Sequence, residues 1–398
     1  KLELGLEYRK NRTENNYKTT RHEFVYQYDM GELITDGQGN PLREVENIVY
    51  EGNTVPWFQT VARDNSEFEY IREIYSAYVN YNQKVGKVSM QLGARLEDFT
   101  VTGDFKEGVD QEDYTDHIFT VYPSAFFTYN PNKKNQFQWS YSKRVDRPNI
   151  QQVNPIRQWS TPLITSIGNQ SLRPQFTNSY EFNYTRNLKK GSITFGTFYR
   201  EVNDNISRIL HVDEFNPDKV ELSFSNFDKS DRYGAELSLN YAVKNWWRIN
   251  ASTDLYIQEQ VGLSGSESIE VTNNVFNIRV NNSISATKKL RFQLFGMFRG
   301  GTDGIQFKVD PMWMVNAGTS LSVLKGKGTV SFRMNDIFKG MKFKFDTQRP
   351  IPQFGQFNWE SRTAYLGFMY RFGGGKNKAK RRKNRGNDDN GGGGGGFL

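Results

Sequence analysis

Apolar and polar residues alternate one by one through most of this chain. From Lys289 to Arg299, Leu290, Phe292, Leu294 and Phe298 fall on one face, and Arg291, Gln293 and Arg299 fall on the other. Phe137, Trp139 and Tyr141 alternate with Gln136, Gln138 and Ser140. Ile193, Phe195, Thr197 and Tyr199 alternate with Thr194, Gly196, Phe198 and Arg200. Ala235, Leu237, Leu239 and Tyr241 alternate with Glu236, Ser238 and Asn240, and Val330, Phe332 and Met334 with Ser331 and Arg333. A period of two is the spacing of a half-buried strand, whereas a helix would space its apolar residues at 3.6. Lys219 to Ala242 reads as one long strand bent near Asp228 to Arg232, because splitting it would break the alternation.

The connections between these strands alternate in length. Tight polar ones lie at 82–86, 130–135, 188–191, 243–245, 287–289 and 324–328. Between them fall long ones at 30–66, 103–116, 146–174, 203–219, 261–268, 302–311 and 338–360. An up-and-down barrel in an outer membrane has short turns on the periplasmic rim and long loops outside the cell. A Greek-key sandwich has no reason to sort loop length by parity. The fold expected is therefore all-β, a large antiparallel up-and-down transmembrane β-barrel. Counting one strand per half-period gives about fifteen strands, many longer than the ~10 residues a tilted span needs. An odd count, and a chain that opens directly in the strand-like Leu2 to Tyr8, suggest a beginning in the middle of a larger protein.

Composition agrees with that picture. Hydrophobic residues make up only 36% of the 398 positions and mean hydropathy is −0.73, yet 15% are aromatic. A disordered chain lacks aromatics, and barrels look polar in bulk because only alternate residues meet lipid. No run approaches the ~18 apolar residues of a membrane-spanning helix. Cysteine is absent, which removes disulfides, thiolate metal sites and cysteine nucleophiles. The net charge of +8 is concentrated after Phe372: seven basic residues, Lys376 to Arg385, face only Asp388 and Asp389. The body is nearly neutral, so nucleic acid is not an expected partner. The segment 373–398, with its run Gly391 to Gly396, reads as a flexible basic tail on the periplasmic side of a barrel domain covering 1–372.

The last strand, Thr363 to Phe372, places Gly367, Tyr370 and Phe372 at the spacing G-x-x-aromatic-x-aromatic. This resembles the terminal-strand signal by which the outer-membrane assembly machinery recognises its substrates. Further upstream stand Arg144, Arg147-Pro148, Asn154-Pro155, Gly168-Asn169 with Leu172, Arg173 and Pro174, Tyr180-Glu181, Tyr233-Gly234-Ala235-Glu236 and Asn335-Asp336-Ile337-Phe338. In this order and spacing, from about Tyr122 to Phe372, the chain resembles the C-terminal barrel of a TonB-dependent receptor of the Bacteroidota-type outer-membrane β-barrel family. The resemblance implies an outer-membrane barrel of about 22 strands, an N-terminal plug, energy supplied through TonB, and import of scarce solutes such as metal chelates, cofactors or glycans. Neither a plug nor a TonB-contact segment is present in this sequence. A rival reading is a non-transporting barrel that serves as a scaffold in a secretion or outer-membrane assembly complex. Expected partners are membrane lipid, the assembly machinery, TonB through a plug preceding Lys1, and a surface lipoprotein or other envelope subunit.

No enzyme is expected. His22, His117 and His211 are isolated, the last in a loop, and no His-Glu-x-x-His, Gly-x-Ser-x-Gly or phosphate-loop pattern occurs. No catalytic residue, metal ligand or cofactor is assigned. Trp246 and Trp247 suit one interfacial girdle and Trp313 the other. Trp57, Trp159 and Trp359 fall in long loops, beside Phe58, Arg157 and Phe357. Aromatics in loops are costly unless packed together or used for binding. Trp57, Phe58, Arg157, Trp159 and Trp359 are therefore the candidate ligand-binding residues, on loops expected at the extracellular rim. The inward Arg72, Arg200, Arg291, Gln293 and Arg333 suit either an anionic or sugar-like solute or a salt-bridge network that stiffens the wall.

Overall fold

The computed structural model describes residues 1–23, 28–29, 32–33, 47–50, 53–56, 59–107, 113–161, 164–212, 220–264, 267–347 and 349–372. Trp57, Phe58 and the segment 373–398 lie outside the described residues. Fourteen strands follow one another in a single antiparallel meander: β1 (Leu2–Glu23), β2 (Gln59–Val85), β3 (Val88–Glu107), β4 (Tyr114–Asn132), β5 (Asn135–Asp146), β6 (Gln175–Leu188), β7 (Gly191–Val212), β8 (Val220–Lys244), β9 (Trp247–Ser264), β10 (Glu267–Ser285), β11 (Leu290–Arg299), β12 (Met312–Val323), β13 (Gly328–Met334) and β14 (Ala364–Tyr370). A short hairpin, Gln158–Thr161 with Ile164–Ser166, joins the same sheet by pairing in parallel with the start of β8.

Among the described residues the path holds fourteen strands, close to the fifteen expected. The Lys1 amino group bonds the Asn82 carbonyl at the β2–β3 turn, and the Arg371 N–H bonds the Lys327 carbonyl at the β12–β13 turn. Both ends of the meander thus lie on the short-turn rim. Strand ends also differ from the pattern. β7 runs on to Val212, so His211 is in a strand rather than a loop, while β8 is the single long strand expected. Beyond the lipid both faces of a strand meet water, so the apolar alternation stops. The ladder continues because each N–H and C=O still needs a partner.

Register turns the alternation into two surfaces. Phe127, Trp139, Phe182, Thr197, Ala235, Leu255 and Phe276 pair in one row across seven strands. The adjacent row on the opposite face is Thr128, Gln138, Asn183, Gly196, Glu236, Asp254 and Asn277. Likewise Phe292, Thr319, Phe332 and Leu366 share a row, as do Arg291, Ser320, Ser331 and Gly367. One face is thus apolar and exposed, as lipid requires, and the other is polar. Aromatic residues gather at its ends: Trp246 stacks on Trp247 at the β8–β9 turn, and Trp313 packs on Phe338 at the long-loop end of β12.

Candidate functional site: a roofed chamber on the inner face

The described part of the connection 146–174 packs inward against the polar face of β2 and β3. The Arg147 guanidinium donates to the Glu97 carboxylate and lies 4.6 Å over the Phe99 ring. Arg95 reaches the same carboxylate at 2.5 Å and Glu7 at 2.9 Å, so the nearly buried Glu97 is held by two cations. The Tyr70 hydroxyl donates to the Pro148 carbonyl at 3.1 Å. A one-turn helix, Ile150–Val153, starts at Asn149 with a capping box: the Asn149 oxygen accepts from the Gln151 and Gln152 N–H groups, and the Gln152 side chain accepts from the Asn149 N–H. Val153, Ile156 and Leu172 are buried against Phe68, Tyr70, Phe99 and Val101 of β2 and β3.

The far end of this arch is tied to β8. Asn169 Nδ2 donates to the Phe224 carbonyl at 2.9 Å, and Asn226 exchanges hydrogen bonds with the Arg173 backbone at 2.8 and 2.9 Å. Gly168 lets the two limbs touch: its N–H reaches the Asn154 carbonyl at 2.7 Å, and a Cβ there would lie 2.5 Å from the Asn154 nitrogen. The motif residues Arg147-Pro148, Asn154-Pro155, Gly168-Asn169, Leu172 and Arg173 are therefore the parts of one inward arch.

A second connection also turns inward. Thr302–Asp303 and Phe307–Val309 form a hairpin that joins Lys342–Thr347 and Gln353–Asn358 in a separate four-stranded sheet. Gln306 at its tip accepts from the Leu210 N–H at 2.6 Å and donates to the Leu210 carbonyl at 3.0 Å. Ile305 packs with Ile209 and Phe227. Asn273 on β10 exchanges two 2.5 Å hydrogen bonds with the Asp303 backbone.

The arch, this hairpin and the inner face of β7–β9 enclose a chamber of about 470 Å³. Arg208, Arg232 and Arg299 line it together with Phe224, Tyr256 and Gln258. Among the described residues no carboxylate pairs with these three arginines, and the Nε of Arg232 is buried without a hydrogen-bond partner. Asp303, the one acid of the lining, lies 3.7 Å from Lys308. Arg200 differs: it bonds Glu181 at 3.0 Å, lies 3.8 Å from Glu236 and caps the Phe198 ring at 4.3 Å. Arg72 and Arg333 lie over Tyr70 and Tyr365.

Of the residues proposed from loops, Arg157, Trp159 and Trp359 lie within the described residues. Arg157 is paired with Glu221 at 2.7 Å. Trp159 belongs to the short hairpin through its backbone, opposite Thr165. Trp359 packs against Phe343, with Phe345 and Phe357 alongside. At the last strand Tyr370 and Phe372 are in edge contact at 4.7 Å and exposed, while Gly367 faces Ser331. Sequence reasoning missed Arg208, Arg232 and Gln306. Arg208 and Gln306 fell in connections without a readable parity, and no local pattern announces that an arginine lacks a cross-strand acid.

Comparison with known proteins bears on the fold. The siderophore receptor PiuA from Acinetobacter baumannii superposes with a TM-score of 0.61 at 15% identity, over 93% of this chain and 52% of that one. The ferric-catecholate import receptor Fiu from K12 E. coli gives 0.56 at 12%, over 93% and 52%. The copper transporter OprC gives 0.54 at 10%, over 79% and 50%. The chain thus spans about half the length of these solved proteins, and at such identities the likeness is one of fold. No curated protein sequence matches it. The family model described as the outer membrane protein beta-barrel family matches residues 1–370, and the chain, an outer-membrane barrel whose structural neighbours are receptors and transporters rather than enzymes, belongs to that family.

Proposed function

We propose that this chain is the wall and recognition chamber of an outer-membrane receptor of the TonB-dependent type. Its long connections would face the cell exterior, with the tail 373–398 in the periplasm and 1–372 forming the barrel domain. Recognition would take place in the chamber rather than at rim tryptophans. The observation that carries this reading is the arch: a loop whose apolar residues are buried on β2–β3 and whose far end is tied to β8 costs conformational entropy that a bare wall would not need. Binding residues held on such a rigid scaffold are what a receptor requires. Energy from TonB through a plug domain belongs to the same proposal. The exposed Tyr370 and Phe372 edge would serve assembly, so Tyr370→Ser with Phe372→Ser lowers outer-membrane abundance. A heat-modifiability gel with normal abundance would retire that role.

The test of the receptor reading uses the full-length gene. A deletion strain is screened for uptake of siderophores, copper chelates and glycans, then complemented with wild type or Gly168→Val. One solute class should depend on the gene, with rescue by wild type and none by Gly168→Val at equal membrane abundance. If no solute depends on it and the protein co-purifies with envelope machinery, the scaffold reading replaces this one.

A further inference from the structure

We infer that the chamber binds an oxyanion, a carboxylate or phosphate carried on a ring-bearing organic molecule, at Arg208, Arg232 and Arg299. This deepens the receptor reading and rests on it for its biological meaning. Arg200 and Arg232 are direct cross-strand partners on β7 and β8, and like charges so placed repel. Arg200 is compensated by Glu181 at 3.0 Å. Arg232 has no such acid among the described residues, and its Nε is buried with no hydrogen bond. A guanidinium N–H desolvated without a partner costs free energy, and the residue facing Arg232 across β9, Gln258, supplies no charge.

The other two cations point the same way. Arg208 rests on the Phe224 ring at 5.7 Å, which leaves its guanidinium edge open to the chamber. Arg299 stands at the exposed margin near the inward hairpin. The lining sets three arginines against one acid, Asp303, which also lies 3.7 Å from Lys308, so the chamber is net positive. Guanidinium forks suit the paired oxygens of carboxylates and phosphates. Phe224 and Tyr256 offer flat surfaces for a ring, and Gln151 and Gln258 offer amides for its hydroxyls.

The experiment is calorimetric titration of the detergent-purified full-length protein with glucose 6-phosphate, galacturonate and glucose, at millimolar probe. Both anionic probes should bind and glucose should not; the ratio of the two anions tells phosphate from carboxylate. Arg232→Gln should weaken anion binding at least about tenfold, or ~1.4 kcal/mol. Arg333→Gln, remote from the chamber, should leave it unchanged, and heat-modifiable migration checks that both variants are folded. Absence of binding by both anions, equal binding of glucose, or indifference to Arg232→Gln in a folded variant overturns the inference. Solute uptake that persists in Arg232→Gln would sink the oxyanion site and spare the receptor reading. Anion binding without any gene-dependent uptake would do the reverse.

Discussion

Two long connections on the same rim solve the burial of their apolar residues in opposite ways. The arch 146–174 places Val153, Ile156 and Leu172 on the wall itself, against Phe68 and Phe99. The connection 338–360 instead makes a hairpin whose Phe343, Phe345, Phe357 and Trp359 pack on one another. The first is fixed relative to the strands and can hold chemical groups over their inner face. The second owes its order to its own sheet. In the second, Trp359 keeps an exposed edge while its ring packs on Phe343.

Arg147→Ala should break this contrast most severely. It removes one of two cations from the nearly buried Glu97 and the anchor at the start of the arch. Leaving a buried charge short of its partner costs on the order of 3 kcal/mol. Hydrogen exchange should then show the arch opening while the 342–358 hairpin keeps its protection. Equal loosening of both would mean that the two connections form one cooperative unit.

Phe343→Ala is the mirror experiment. Phe343 is 2% exposed at the centre of the aromatic cluster, and a Phe to Ala truncation costs roughly 3 kcal/mol. Limited proteolysis should cut near 348 sooner, with cleavage of the arch unchanged. An arch that becomes sensitive in step would refute the independence of the two loops.

A smaller effect is expected from acid. Asp336 closes the β13–β14 connection. Burial would raise its carboxyl, but hydrogen bonds from Ser361, Met341 and Gly340, with Arg362 nearby, hold it below the ordinary range. A depressed folded value means that this stabilisation is present above about pH 4 and is lost as pH falls through the folded value. Amides of 335–341 should exchange faster below that point, and Asp336→Asn should reproduce the loss, about 1–2 kcal/mol, at neutral pH. Unchanged protection in Asp336→Asn would remove the carboxylate from the account.

The least effect belongs to Arg157. Its pairing with Glu221 at 2.7 Å is partly exposed, and such pairs are worth at most about 1 kcal/mol. Arg157→Gln should change neither thermal unfolding nor anion binding measurably. A tenfold loss of binding would return recognition to the residues expected from the loops.

The sequence by itself determined the wall. A two-residue period written in Leu290, Phe292 and Leu294 against Arg291 and Gln293 can satisfy lipid on one side and water on the other only as a strand. The alternation of loop lengths then orders the strands, because neighbours joined by tight turns must pair. Tertiary structure alone decided where the long connections go and which arginines are left without acids. Both depend on residues far apart in the chain: Arg147 meets Glu97, Asn169 meets Phe224, and Gln306 meets Leu210. Such contacts form where the assembled sheet brings distant segments of the chain together, and no local period records them.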